Sequence, residues 1–153
     1  MRKFIALAIA VATLSVATDS FAHCQVPCGI YDDPARITGM REDASTITKA
    51  INNITELAGK ADAQSVNQAV RWVTTKEAHA SNIISVVSEY FLAQKLKPVA
   101  AGEEGHDAYL ARLADHHAVM RAAMATKQKA SLEAASALDA AIEKLAAHYH
   151  KAH

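Results

Sequence analysis

Two cysteines and a histidine lie close together near the start of the chain, in the run His23-Cys24-Gln25-Val26-Pro27-Cys28-Gly29-Ile30-Tyr31-Asp32. If the chain is cut before His23, that residue carries a free α-amino group. Its amine and imidazole then close a six-membered ring around a metal. The amine and the deprotonated backbone nitrogen of Cys24 close a five-membered ring, and that nitrogen with the Cys24 thiolate closes another. Cys28 returns a second thiolate if the chain turns back, and Pro27 and Gly29 are turn residues, with a cis bond open to Pro27. The set is a planar N₂S₂ with an imidazole above it. Fused five-membered rings hold donors near 90° apart, which suits square-planar Ni(II) or Cu(II) and not tetrahedral zinc. Thiolates and an anionic amide stabilise the higher oxidation state, so the set suits one-electron redox chemistry. The same cysteines also read as a small Cys24–Cys28 disulfide with His23 an ordinary terminal residue. Spacing alone does not separate the two, and a cut placing His directly before Cys favours the metal.

Whether the amine is free depends on the leader. Met1-Arg2-Lys3 precede an apolar run over 4–17 that is interrupted by Thr13 and Ser15. A basic start and a short apolar stretch make a secretory signal peptide. The run is shorter than the roughly 20 residues a membrane-spanning helix needs, although an uncleaved anchor is the alternative. Ser20 and Ala22 give a small-x-small pattern, so cleavage is expected after Ala22. The mature chain then has 131 of the 153 residues, with 14 basic and 15 acidic, because the leader carries Arg2, Lys3 and Asp19. Export places it in the periplasm or outside the cell, where a disulfide is the ordinary fate of two cysteines. No membrane association is expected of the mature form.

The elements that must position this segment are helices. Hydrophobic residues are 51% of the chain and charged residues 21%, a globular balance. Sixteen basic residues face sixteen acidic ones, which removes the electrostatic case for nucleic acid. Five glycines and three prolines argue against a turn-rich β fold. Asp33 and Pro34 mark an N-cap and first turn. A first helix over 34–58 has the stripe Ile37, Met40, Ala44, Ile47, Ile51, Ile54, Ala58. A second over 62–96, stopped by Pro98, has Val66, Val70, Val73, Glu77, Ala80, Ile84, Val87, Phe91. A third over 106–126 has Leu110, Leu113, His117, Met120, Met124, and a fourth over 131–150 has Ala135, Leu138, Ile142, Leu145, Tyr149. Short links between four such helices predict an all-α, up-down-up-down four-helix bundle preceded by a metal-binding hook. The divisions are a leader over 1–22, a hook over 23–33 and a bundle over 34–153. The second helix, about 50 Å long at 1.5 Å per residue, overhangs its partners. Trp72 and Val73 at one end, or Phe91 and Leu92 at the other, then offer a subunit contact, unless the helix kinks back on its own bundle.

Tyr31 stands at the mouth of any hook, where its phenol can donate to a bound anion; the alternative is a packing tyrosine where the helix begins. Tyr90 is read as core or subunit contact rather than as a second pocket residue. Glu77 and His117 interrupt apolar stripes and need partners, which they could find in each other inside the bundle. A carboxylate-bundle metal site needs paired Glu-x-x-His, and Glu77-Ala78-His79 has the wrong spacing. His148-Tyr149-His150-Lys151-Ala152-His153 reads as a solvated, frayed helix end rather than a metal tract.

His23, Cys24, Pro27, Cys28, Gly29, Tyr31 and Asp32 together resemble the nickel hook of nickel-containing superoxide dismutases, and Tyr90-Phe91 late in the second helix is similar too. The resemblance implies one nickel ion per chain. Its in-plane ligands are the His23 amine, the Cys24 amide nitrogen and the Cys24 and Cys28 thiolates, with the His23 imidazole axial in the oxidised form. It implies Tyr31 beside the open face, ordering substrate and water, and a homohexamer of four-helix bundles that disproportionates superoxide to dioxygen and hydrogen peroxide. The chain departs from the family pattern in three places. Gln25 stands where some members have Asp, the leader looks like an export signal and not a propeptide, and the outer-shell carboxylate and arginine have only Glu42 and Arg41 as candidates. Two other functions fit the residues alone: an exported nickel- or copper-binding carrier without turnover, and a structural bundle with a disulfide.

Overall fold

The computed structural model describes residues 31–149; the leader, residues 23–30 and residues 150–153 lie outside them. Regular structure among the described residues is all helical. Helix α1 is Asp33–Leu57 and α2 is Ala63–Ser85, which continues into a π-helical segment, Val86–Lys95. Helix α3 is His106–Gln128 and α4 is Leu132–Ala146. The expected boundaries fall within four residues of these.

Local chemistry explains where the helices begin. Asp32, one residue before the expected cap, accepts the Ala35 N–H at 3.0 Å, and Pro34 fills the first turn where its missing donor costs nothing. Asp62 caps α2 through the Ser65 N–H at 2.9 Å, and the Ser65 hydroxyl at 2.6 Å, followed by that N–H, holds its carboxyl below the usual range. Ser131 caps α4 through Ala134 N–H at 3.2 Å. Helix α3 starts instead from Gly105 in the left-handed region at φ 88°, where a side chain would be strained.

Helix α1 packs on α2, α2 on α3, α3 on α4, and α4 on α1, an arrangement that fits a bundle around one core. The stripe expected of α4 is inside, as is that of α1 up to Ile51, while Ile54 is half-buried and Ala58 exposed. Ile37, Met40, Ala44, Ile47 and Ile51 meet Ala135, Leu138, Ile142, Leu145 and Tyr149. Two expectations are corrected. On α3 the buried face is Asp115, His116, Val119, Ala123 and Thr126, while Leu110 is 46% exposed and His117 is at the surface. Both faces of this alanine-rich helix are comparably apolar, and polar partners decide which one turns inward. His116 bonds Tyr149, and Asp115 bonds Lys144 and His148. On α2, Val66, Val70 and Val73 are exposed, because α3 ends beside Lys76 and leaves that face of the first turns uncovered. Phe91, read as a possible overhang, is fully buried in the core.

Polar pins lock the helices in register. Lys76 is 3% exposed, yet all three of its ammonium donors are used, on Thr126 O, Lys127 O and Glu77 Oε1 at 2.6, 2.8 and 2.8 Å. The ammonium also sits against the negative end of α3. Glu77 is half-exposed and pairs with Lys76 and Lys127, so it does not face His117. Between α1 and α2, buried Asp43 accepts from His79 Nδ1 at 2.6 Å and Asn82 Nδ2 at 2.7 Å. No helix among the described residues is long and apolar enough to cross a membrane.

These assignments predict unequal losses. Leu138→Ala should cost about 2–5 kcal/mol, whereas His117→Ala should stay within about 0.5 kcal/mol. Urea midpoints of the two variants check this, and equal losses would return His117 to the core.

Candidate metal centre

Of the residues expected to form the site, Tyr31 is the first that the structure describes. His23, Cys24 and Cys28 lie outside the described residues, as do His150 and His153. Among the described residues no group of three His, Cys, Asp or Glu side chains could hold a metal ion.

Tyr31 stands at a cleft of about 350 Å³ at the start of α1, walled by Asp33, Lys95, Arg112, His148 and Tyr149. It is 39% exposed. Its ring meets Tyr90 edge-on, with centroids 5.9 Å apart, and the Lys95 ammonium lies 4.6 Å from its centroid. Both neighbours are tied to one carboxylate. Tyr90 Oη donates to Asp33 Oδ1 at 2.6 Å, and Lys95 Nζ stands 3.3 Å from Asp33 Oδ2. Asp33 is free to do this because Asp32 takes the capping role. The π-helical segment supplies the other half. Its hydrogen bonds run i→i+5, as from Leu96 N–H to Phe91 O at 2.8 Å, so Tyr90 and Lys95, five apart, lie along one side. In an α-helix, residues five apart point in different directions.

Burial first, and then the Asp33 carboxylate, push the Tyr90 hydroxyl far above the ordinary phenol range. Tyr90 is therefore a protonated donor at neutral pH and a fixed support for Tyr31. It is 5% exposed and packs on Tyr31 from behind, so it is core that supports the cleft without lining it.

The far wall is His148 and Tyr149, which are docked rather than frayed; the rest of the histidine-rich run lies outside the described residues. Tyr149 Oη and His116 Nε2 are 2.8 Å apart in the interior, and the Tyr149 ring packs on Phe91 at 4.6 Å. His116 Nδ1 is 2.6 Å from Arg112 O, a carbonyl that can only accept, so Nδ1 carries the proton and Nε2 accepts from Tyr149. Burial lowers the His116 pKa and keeps the ring neutral, which this pairing requires. Burial also pushes the Tyr149 hydroxyl up to about 12. His148 Nε2 pairs with Asp115 Oδ2 at 2.8 Å, and Lys144 holds the other oxygen at 2.7 Å. Those two contacts, Lys144 foremost, hold the Asp115 carboxyl below its usual range.

Arg41, a candidate for the outer shell, is taken by Glu143 in a two-pronged pair at 2.6 and 2.8 Å, and Glu42 is exposed. Sequence reasoning missed Asp33, Lys95, Arg112 and the docked Tyr149. Lys95 and Arg112 carried no periodic signal, and Asp33 was absorbed into the cap.

A family model described as nickel-containing superoxide dismutase matches residues 18–153. No curated protein and no solved structure gives a match.

The His116 pairing predicts a pH dependence. An imidazole whose pKa is lowered by folding binds fewer protons in the native state. Its contribution is full above the ordinary value of 6.5 and declines as pH falls below it. The Asp115 contribution is lost only below about 3.8, outside that window. The melting temperature should therefore drop between about pH 7 and pH 5, and His116→Gln, which keeps a donor and an acceptor, should flatten the drop. An unchanged slope in the variant would contradict the neutral-ring assignment.

Proposed function

The chain belongs to the nickel-containing superoxide dismutase family, and from that premise we propose that its nickel is held by the processed N-terminal segment His23–Cys28. It is an oxidoreductase that converts two superoxide anions and two protons to dioxygen and hydrogen peroxide. The carrier without turnover has no support from the family. Bound nickel supplies one-electron cycling between Ni(II) and Ni(III).

The observation that carries the proposal is the position of Tyr31. Cys28 is three residues before it, and a chain spans at most about 3.6 Å per residue. Three residues of chain therefore reach at most about 11 Å from Tyr31, which stands at the cleft. The donor chemistry agrees. Both cysteines of the chain precede residue 31, and the described helices offer no group of three donors of their own. The His23 amine and imidazole, the Cys24 amide nitrogen and the Cys24 and Cys28 thiolates would hold the nickel. This requires removal of residues 1–22 and export of the chain.

The described residues then divide the remaining work. The Tyr31 hydroxyl, on a ring fixed by Tyr90 and Lys95, is the exposed phenol that orders anion and water at the cleft. The Tyr90 proton is committed to Asp33, so Tyr90 positions Tyr31 and does not deliver protons. The packing order of the helices supports an up-down-up-down topology. The uncovered Val66, Val70 and Val73 support a homo-oligomer, a hexamer by family resemblance.

Two outcomes test this. Protein from its native host should begin at His23 by mass spectrometry, and one residue added before His23 should abolish turnover. Retained turnover in that form would refute the role of the amine. Next, His23→Ala should bind nickel but turn over steeply more slowly, while Tyr31→Phe should keep nickel and change anion access. Loss of nickel in Tyr31→Phe with full activity in His23→Ala would reverse this division. Nickel content and superoxide turnover of both variants decide it.

A further inference from the structure

We infer that Arg112 is the anion-capturing residue of the cleft, drawing superoxide to the face beside Tyr31. The inference rests on the reaction taking place beside Tyr31. The chain is neutral overall, so no bulk attraction guides an anion to it and any guidance has to be local. Most cations at or beside the cleft are already committed. Lys95 pairs with Asp33 at 3.3 Å, and His148 and Lys144 share Asp115 at 2.8 and 2.7 Å. Arg41, behind Tyr149, is held by Glu143. The other carboxylate in the wall, Asp32, accepts the Ala35 N–H at the positive end of α1, which offsets its charge.

Arg112 differs from all of these. It lines the cleft with Tyr31, and no described carboxylate stands within 4.0 Å of it. Its Nε is buried and has no hydrogen-bond partner, a donor group that native interiors rarely leave unsatisfied. The guanidinium carbon sits 5.8 Å from the Tyr149 ring centroid, on the aromatic wall that His116 anchors. A guanidinium is always charged and presents its donors in a plane, which suits a small diatomic anion. A charge held in a cleft raises the arrival rate of an opposite charge, and the gain falls as salt screens it.

The test uses the full, nickel-loaded protein with Arg112→Gln and Arg112→Lys. Arg112→Gln should lower kcat/KM about tenfold and flatten its dependence on ionic strength, with nickel content and helicity unchanged. Arg112→Lys should keep most of that salt dependence. A second readout needs no turnover: azide titrated into nickel-free protein should shift the Arg112 Nε–H resonance and those of Tyr31. Arg112→Gln should abolish the Tyr31 shift. Wild-type rate and salt slope in Arg112→Gln would overturn the inference. So would a lower rate with an unchanged slope, because Arg112 would then act through packing alone. An Nε–H that azide leaves unmoved in the unaltered protein would overturn it even if Arg112→Gln failed to fold. The azide result is independent of nickel, so it separates failure of this inference from failure of the hook assignment.

Discussion

The Asp33 carboxylate fixes how the chain enters its helices. One oxygen receives the Tyr90 hydroxyl and the other faces the Lys95 ammonium. Those partners then bracket Tyr31, one at the edge of its ring and one over its face. A segment that must present thiolates and an amine to a metal needs a fixed point close by, and this is the nearest described one. It also sets the electrostatics of the cleft, because Lys95 is neutralised and Tyr90 stays protonated. The π-helical segment makes the arrangement reachable by placing residues five apart side by side.

Beyond that point, buried polar groups decide which helix faces turn inward. Lys76, Asp43, Asp115 and His116 are each nearly inaccessible and each is satisfied by a partner on another helix or by a backbone carbonyl. An unsatisfied polar group in such a place would cost about 1–3 kcal/mol, so a helix rotated to its other apolar face would lose more than it gained. His116 joins the tail to α3 and, through Tyr149, forms the cleft wall. The same bond serves packing and site together.

The sequence made α4, and α1 as far as Ile51, legible down to individual residues, because those stripes are long and uninterrupted by polar residues. It misplaced the inward face of α3 by one position, taking His117 for His116, since alanine on every side leaves periodicity without contrast. The outer turns of α2 read as core because Val66, Val70 and Val73 keep the helical spacing whether or not another helix covers them. The proposed metal donors come from chemistry alone, His directly before Cys with a second Cys four residues on, and they lie outside the described residues. The described setting beside them was not legible. Asp33, Lys95 and Arg112 reach the cleft from three elements through pairings that no local pattern announces.

The central claim is that nickel is bound by two thiolates from the segment preceding Tyr31, and X-ray absorption at the nickel edge of the full, processed protein tests it most directly. The account predicts two sulfur scatterers per nickel, with the remaining donors nitrogen. A shell of nitrogen and oxygen alone would contradict it and would place the metal away from Cys24 and Cys28.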